Sequence, residues 1–332
     1  MSKGMTVASR FKLLQVSCIV FLLSPAILAQ QMPDTTFDTR VEKAAYSRNH
    51  PTVVIDEAHS NFHTAEGRYK PFADLLKNDG YQIVRGTAPF QKGSLKGVDI
   101  LVISNASAAD ATDDSSARAF TEAECDIVRD WVRGGGSLLL IADHTPFGTA
   151  AENLASRFGI SMGKGFVFDY ANSEASPAVL RFSNENSLLG THAILRGRDS
   201  SEEIKRVVAF TGQSLGAPAG ASALLKLGGT AYESPTRSEL QAVLGPQNPI
   251  ERRAENIAAH SSPVAGRSQG LAMTFGKGRL VAFGEAAMFS AQVFKAQGPN
   301  GEQEFKMGMN VPGNDDRQLA LNVLHWLSGL LK

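Results

Sequence analysis

The feature that most constrains this chain is a set of short, continuous apolar runs, each ending abruptly in polar or charged residues. Val53-Val54-Ile55 runs into Asp56-Glu57, Ile100-Leu101-Val102-Ile103 into Ser104-Asn105, Leu138-Leu139-Leu140-Ile141 into Ala142-Asp143-His144, and Leu280-Val281-Ala282-Phe283 into Gly284-Glu285. Short runs without polar alternation read as strands buried on both faces, the pattern of a parallel sheet covered by helices. Strands are expected at 52–56, 81–84, 98–104 and 137–142. The segments between them have helical spacing. Residues 69–78 place Phe72, Leu75 and Leu76 on one face and stop before Gly80. Thr121-Glu122-Ala123-Glu124 has the form of a capping box; the helix it opens carries Cys125, Val128, Trp131 and Val132 on one face and ends at Gly134-Gly135-Gly136. Pro146 suits the first turn of a helix reaching Ala155. Alternating strands and helices predict an α/β fold with a mainly parallel sheet.

The second half is less regular. Residues 166–169, 178–182, 207–210 and 223–227 read as strands of an extension, and 233–267, polar and rich in proline, as a long mobile loop. Regularity returns with strands at 270–275 and 279–283 joined by Gly276-Lys277-Gly278, and an amphipathic helix at 319–331 closes the chain. The expected organisation is a signal peptide at 1–29, a linker at 30–51 and one α/β domain at 52–332 with an insertion at about 166–268. The leader reading rests on Lys3, Arg10 and Lys12, the apolar stretch after them, and the small residues ending at Ala29. It implies an exported protein, periplasmic or extracellular, touching a membrane only if the leader stays uncleaved. The chain has 33 basic and 33 acidic residues; removing Lys3, Arg10 and Lys12 leaves 30 against 33. A balance of this kind gives no electrostatic footing for nucleic acid. Cys125 is then the single cysteine and cannot form an internal disulfide. Its place on the apolar helix face makes it a packing residue.

The letters Asp56-Glu57-Ala58-His59 occur in nucleic-acid helicases. ATP hydrolysis there needs a glycine-rich phosphate cradle ending in Gly-Lys-Ser or Gly-Lys-Thr. The nearest segment, Gly159-Ile160-Ser161-Met162-Gly163-Lys164-Gly165, lacks both spacing and hydroxyl, so the four letters do not mark a motor. What they share with Ser104-Asn105, Asp143-His144 and Glu285 is position: polar residues at the carboxyl ends of parallel strands face one crevice, where ligands bind.

Three segments carry a family resemblance. They are 56–81 (DEAHSNFHTAEGRYKPFADLLKNDGY), the glycine-ended helix with Leu138–His144, and 276–289 (GKGRLVAFGEAAMF) with the helix after it. Here the chain resembles the class I glutamine amidotransferase-like superfamily. The likeness is to an exported branch related to the amidotransferase-like domains of intraflagellar-transport and gliding-motility proteins, and more loosely to trehalose-utilisation-type proteins. The resemblance implies a flavodoxin-like three-layer sandwich. Glutaminases of that superfamily carry a nucleophilic Cys after the fourth strand and a His two residues before a late Glu. Here those places hold Ala142-Asp143-His144 and Phe283, so glutaminase chemistry is not expected; Glu285 matches the late Glu.

Within the crevice, Glu57, His59, His144 and Glu285 are the candidates for catalysis. Asp56, Asn61, His63, Asn105 and Asp143 are candidates for ligand binding. His59, His63 and His144 offer imidazoles to a divalent metal, which would activate water; His59 and His63, four apart, would share a helix face. Singly, each has a structural reading: Asp56 and Asp143 as caps of backbone amides, His59 as a satisfied buried ring, Asn61 as a turn residue. His192, His260 and His325 read as structural. Gly212-Gln213-Ser214-Leu215-Gly216 matches a nucleophile elbow in letters, but the segment after it does not open a helix. Two functions stay open. One is an exported protein binding a polar small molecule, a glycan or a protein partner in the crevice. The other is an exported hydrolase, with or without a metal, acting on a polar or carbohydrate-derived small molecule. The glycan expectation comes from the resemblance alone.

Overall fold

The computed structural model describes residues 31–109, 111–112, 116–245, 250–298 and 301–332; the leader expected at 1–29 lies outside them. The labelled elements are β1 (Thr52–Asp56), α1 (Lys70–Asn78), β2 (Gln82–Gly86), β3 (Ile100–Ser104), α2 (Glu122–Gly134), β4 (Ser137–Ile141), α3 (Phe147–Ser156), β5 (Phe166–Asp169), β6 (Arg206–Phe210), α4 (Arg237–Leu244), β7 (Ser268–Phe275), β8 (Gly278–Phe283), β9 (Ala291–Gly298), β10 (Gly301–Gly308) and α5 (Asp316–Leu327).

Nine strands form the central sheet. Its main path runs β2-β1-β3-β4-β8-β7, then the short strands Leu215–Gly216 and Ser161–Met162, with Ser222–Lys226 also pairing to β7. The first five are parallel to one another, and the pairs made by β7 are antiparallel. Side chains alternate faces along each strand, and here both faces are apolar. Ile100, Val102, Leu139, Ile141, Val281 and Phe283 join α1 and α5 in one core. Leu101, Ile103, Leu138, Leu140, Leu280 and Ala282 join Cys125, Val128 and Val132 of α2 and Leu154 of α3 in the other. The fold is thus a flavodoxin-like three-layer sandwich with a mainly parallel sheet and an extension. The Thr121–Glu124 capping box forms as expected. The Cys125 thiol is buried, and burial pushes its pKa up to about 12.

Three segments differ from expectation. The stretch 233–267, read as a loop, contains α4 and a second helix, Arg253–His260. Thr236 caps α4, accepting from the Glu239 amide at 3.2 Å while its hydroxyl donates to the Glu239 carboxylate at 2.8 Å. Leu240, Val243 and Leu244 then pack on Phe166 and Phe168. The prolines bracket these helices instead of forbidding them. Second, β9 and β10 form a long hairpin that sequence reading missed, because 291–308 is mixed in polarity. Third, the segment read as a linker is docked. Met32–Pro33 pairs with β9, Tyr46 packs on the core and bonds Ser328 at 2.8 Å, and the Ala45 amide donates to Asp79 at 2.8 Å.

One close approach fixes the extension on the sheet. A Cβ on Gly284 would lie 2.2 Å from the Gln213 carbonyl oxygen, and Gly212, at φ 77°, faces Gly284 in turn. Gly284→Ala should therefore force the 211–213 turn away from the end of β8 and cost about 1–3 kcal/mol. Denaturant midpoints of the two proteins check this; equal midpoints would mean the approach is slack.

Candidate functional site

Register brings the strand tips level. Ser104 pairs with Ile141, and Ile141 with Phe283, so the residues that follow leave the sheet at one edge. A cleft of about 520 Å³ opens there. His63, Asn105, Asp143, His144 and Glu285, five of the nine expected site residues, line it. So do Ser60, Thr211, Arg237 and Gln292, which sequence reasoning did not single out.

The turn after β4 is held from two sides. Asn105 Oδ1 accepts from the Asp143 amide at 2.9 Å. Gln213 Nε2 donates to the carbonyls of Ala142 (2.7 Å) and Asp143 (3.0 Å), and Gln213 Oε1 accepts from the Lys164 amide at 2.7 Å. Asp143 Oδ1 accepts from the His144 amide at 2.8 Å. His144 Nδ1 lies 2.8 Å from the Thr145 carbonyl oxygen. A carbonyl only accepts, so Nδ1 carries hydrogen, and in the neutral ring Nε2 holds a lone pair. Nε2 is 3.9 Å from Asp143 Oδ1, too far for a direct hydrogen bond. The ring stacks on Phe166 at 4.2 Å, and the Arg237 guanidinium lies 5.3 Å from the same Phe166 ring.

The floor carries two carboxyl groups. Glu285 is fully buried and accepts from the amides of Ala287 (2.6 Å) and Met288 (2.8 Å). Burial raises its pKa well above the usual carboxylate value, and the charge of Asp143 adds to this. Burial also raises Asp143, against the pull of His144 and of hydrogen bonds from the His144 and Ala286 amides and Asn105. Two such carboxyls cannot both ionise cheaply, so the pair keeps a proton well above the ordinary carboxylate range. Beside it, Tyr69 donates to the Ala286 carbonyl at 2.8 Å. His63 stacks on Tyr69 at 4.5 Å; burial, helped by Arg68, drives its pKa down to about 3. His63 is therefore a neutral ring at physiological pH.

The other four expected residues build the frame behind this cleft. Residues 57–69 are turns, not helix, so His59 and His63 do not share a helix face. His59 is clamped between two carboxylates, Nδ1 at 2.8 Å from Asp56 and Nε2 at 2.9 Å from Glu124, with Phe90 and Phe120 packed against the ring. Burial lowers its pKa, but the bonds and charges of Asp56 and Glu124 outweigh that and leave it raised. Asn61 donates to Asp56 at 3.1 Å and accepts from the His59 amide at 3.0 Å. Glu57 pairs with Arg85 at 2.7 Å and accepts from the Ala65 amide at 2.8 Å. These bonds brace the loop that presents Ser60 and His63. Among the described residues, no three His, Cys, Asp or Glu side chains group so as to hold a metal ion. His59, His63 and His144 thus do not form the metal set they resembled in sequence.

Three of the six described non-glycine residues at positive φ line the cleft. Ser60 (φ 46°), Asn105 (45°) and Thr211 (61°) all line it in the left-handed region. For a β-branched residue such as Thr211 this is a real outlier. Each such residue costs about 1–3 kcal/mol and persists only where its surroundings hold it. Away from the cleft, Ser214 is buried between Glu233 (2.5 Å) and Arg267 (2.6 Å) and opens no helix, so it is no nucleophile elbow. His325 is buried on Asp79 at 2.7 Å.

No family model matches the chain, and no curated protein matches it. Among solved structures, the mmIFT52 N-terminal domain aligns over 84% of this chain and 97% of its own, with 16% identity and a TM-score of 0.53. A ThuA-like protein from Bacteroides uniformis aligns over 85% of this chain and 94% of its own, with 13% identity and a TM-score of 0.41. A protein from Thermoplasma acidophilum described as part of a GMP synthase aligns over 85% of this chain and 96% of its own, with 11% identity and a TM-score of 0.40. The first likeness shows a shared fold; the other two scores are too low to carry weight.

Replacing His59 tests the frame. His59→Ala would leave the Asp56 and Glu124 carboxylates buried without their cation and should cost about 3–5 kcal/mol. His59 binds its proton more tightly when folded, so its contribution is complete below the ordinary value of 6.5 and fades as pH rises through the folded value. Burial raises Glu124, but hydrogen bonds from His59 and Thr121 overcome it and hold the carboxyl below its ordinary 4.5; its contribution is present above that value and fades as pH falls through the folded one. Melting curves across pH should show a maximum between those limits that flattens in His59→Gln; an unchanged profile would show that the clamp carries no charge.

Proposed function

We propose that this protein is an exported, non-glutaminase relative of the amidotransferase-like superfamily, and that it binds a polar ligand in the cleft at the strand carboxyl ends. The ligand is a small molecule, a carbohydrate being the first choice, or a polar segment of a protein partner. The observation that carries this reading is the convergence of His63, Asn105, Asp143, His144 and Glu285 on one cleft whose wall also holds three strained residues. Strain maintained at one place invites a functional reading. The turn after β4 offers Asp143 and His144 where a glutaminase needs its thiol, and the buried Cys125 sits in the core of the opposite layer. Both facts favour binding over acyl transfer.

A second reading, an exported hydrolase, has one observation in its favour. His144 presents an Nε2 lone pair beside a carboxyl pair that retains a proton. A base and an acid side by side are what hydrolysis requires. His144 would take a proton from water while the pair gives one to the leaving group.

Calorimetric titration with neutral, acidic and basic sugars and with amino acids separates these ideas. Binding to the intact protein should weaken about tenfold in His144→Ala, equivalent to one lost hydrogen bond to a charged group, with the melting temperature unchanged. Equal binding by the variant would remove the cleft as the site. Release of chromophore from nitrophenyl esters or glycosides, abolished in His144→Ala, would favour the hydrolase.

A further inference from the structure

We infer that the ligand of this cleft carries a protonated amine, received by the carboxyl groups of Asp143 and Glu285 together with the side-chain oxygen of Gln292. The inference rests on the cleft being a ligand site and adds the chemical class of what enters it.

Gln292 is the first support. It lines the cleft, is 1% exposed, and lies at the root of β9. Its Nε2 donates to Ser290 Oγ at 2.7 Å, and the Ser290 hydroxyl is committed to the Ala287 carbonyl at 2.7 Å. In this orientation the amide's Oε1 is an acceptor with no donor among the described residues. A buried acceptor left this way costs about 1–3 kcal/mol and calls for a donor from outside the chain.

The carboxyl pair is the second support. Glu285 accepts from two backbone amides, and Asp143 from backbone amides and Asn105. Neither has a salt bridge to Lys or Arg among the described residues. The pair holds a proton for want of a cation, and an incoming cation would let both groups ionise. An alkylammonium has three N–H donors and one positive charge, against two carboxyl groups and the Gln292 oxygen as acceptors here. A hydroxyl brings one donor and no charge, and an anion would be repelled.

The surrounding charges agree. His63 is neutral, and Tyr69 is a buried phenol kept protonated. Arg68, which acts on His63, is held 3.7 Å over the Phe62 ring. His144 stands on the wall. Arg237, on the exposed N-terminal turn of α4, is the only Lys or Arg among the described lining residues. The apolar body of such a ligand would lie by the Phe62 and Phe147 rings, 5.7 Å apart.

The test compares matched probes on the full chain by calorimetry: glucosamine, glucose and N-acetylglucosamine on one scaffold, and 6-aminohexanoate, 6-hydroxyhexanoate and hexanoate on another. The amine member should bind about tenfold or more tighter than the partners that lack the ammonium, on at least one scaffold. Asp143→Asn should erase that preference and Gln292→Leu should reduce it. Gln292→Glu, which keeps the shape and adds a carboxyl that an incoming ammonium can ionise, should enlarge it; its circular dichroism and melting curve establish that it folds. A partner without the ammonium binding as tightly as its amine on every scaffold that binds overturns the inference while leaving the cleft a ligand site. Binding by no member here, and by nothing in the wider panel of sugars and amino acids, overturns both.

Discussion

Everything at the cleft depends on the in-register pairing of β3, β4 and β8. Ser104, Ile141 and Phe283 lie at one level, so Asn105, Asp143 and Glu285 emerge together. Side chains alternate along a strand, and a slip of one residue would exchange the two buried faces. Here both faces are packed with large side chains of different partners: α1 and α5 on one side, α2 and α3 on the other. The slipped arrangement would therefore spoil two cores at once. Hydrophobic packing fixes the register, and the register fixes the site.

Around that edge the polar residues fall into two tiers. Asp56, Glu57, His59, Asn61, Arg85 and Glu124 satisfy one another and leave little for a ligand. Burying His59 between two carboxylates is costly in desolvation, and the geometry offsets it because each ring nitrogen meets one carboxylate. The inner tier differs. Glu285 and Asp143 lean on backbone amides, His144 keeps Nε2 toward the cleft, and Gln292 Oε1 lacks a donor among the described residues. Satisfied groups hold shape, and unsatisfied ones face the ligand.

The central sheet was legible because its strands are continuous apolar runs, a pattern few other structures share. The strand-end rule leads to Asn105, Asp143, His144 and Glu285, which line one cleft. Asp56, Glu57, His59 and Asn61 bond one another behind it, because a sequence shows that a side chain is polar but not what already bonds it. Glu124, recognised as a cap, also receives His59, and nothing in the spacing links residues 65 positions apart. Thr236-Arg237-Ser238-Glu239 was a second capping box in plain view, masked by the prolines around it; reading it would have placed Arg237 on a helix. Gln292, Thr211 and Gln213 left no such signal, since each matters through contacts with distant segments.

Gln213 carries a consequence for how far the molecule can be divided. The carbonyls of Ala142 and Asp143 receive hydrogen from its amide, so a hinge of the central sheet is completed by a residue from outside it. Trimming the polypeptide back to its minimal sandwich would take that donor away and open the hinge to water. The added segment is accordingly no detachable ornament: the crevice keeps its shape only while that segment is in place.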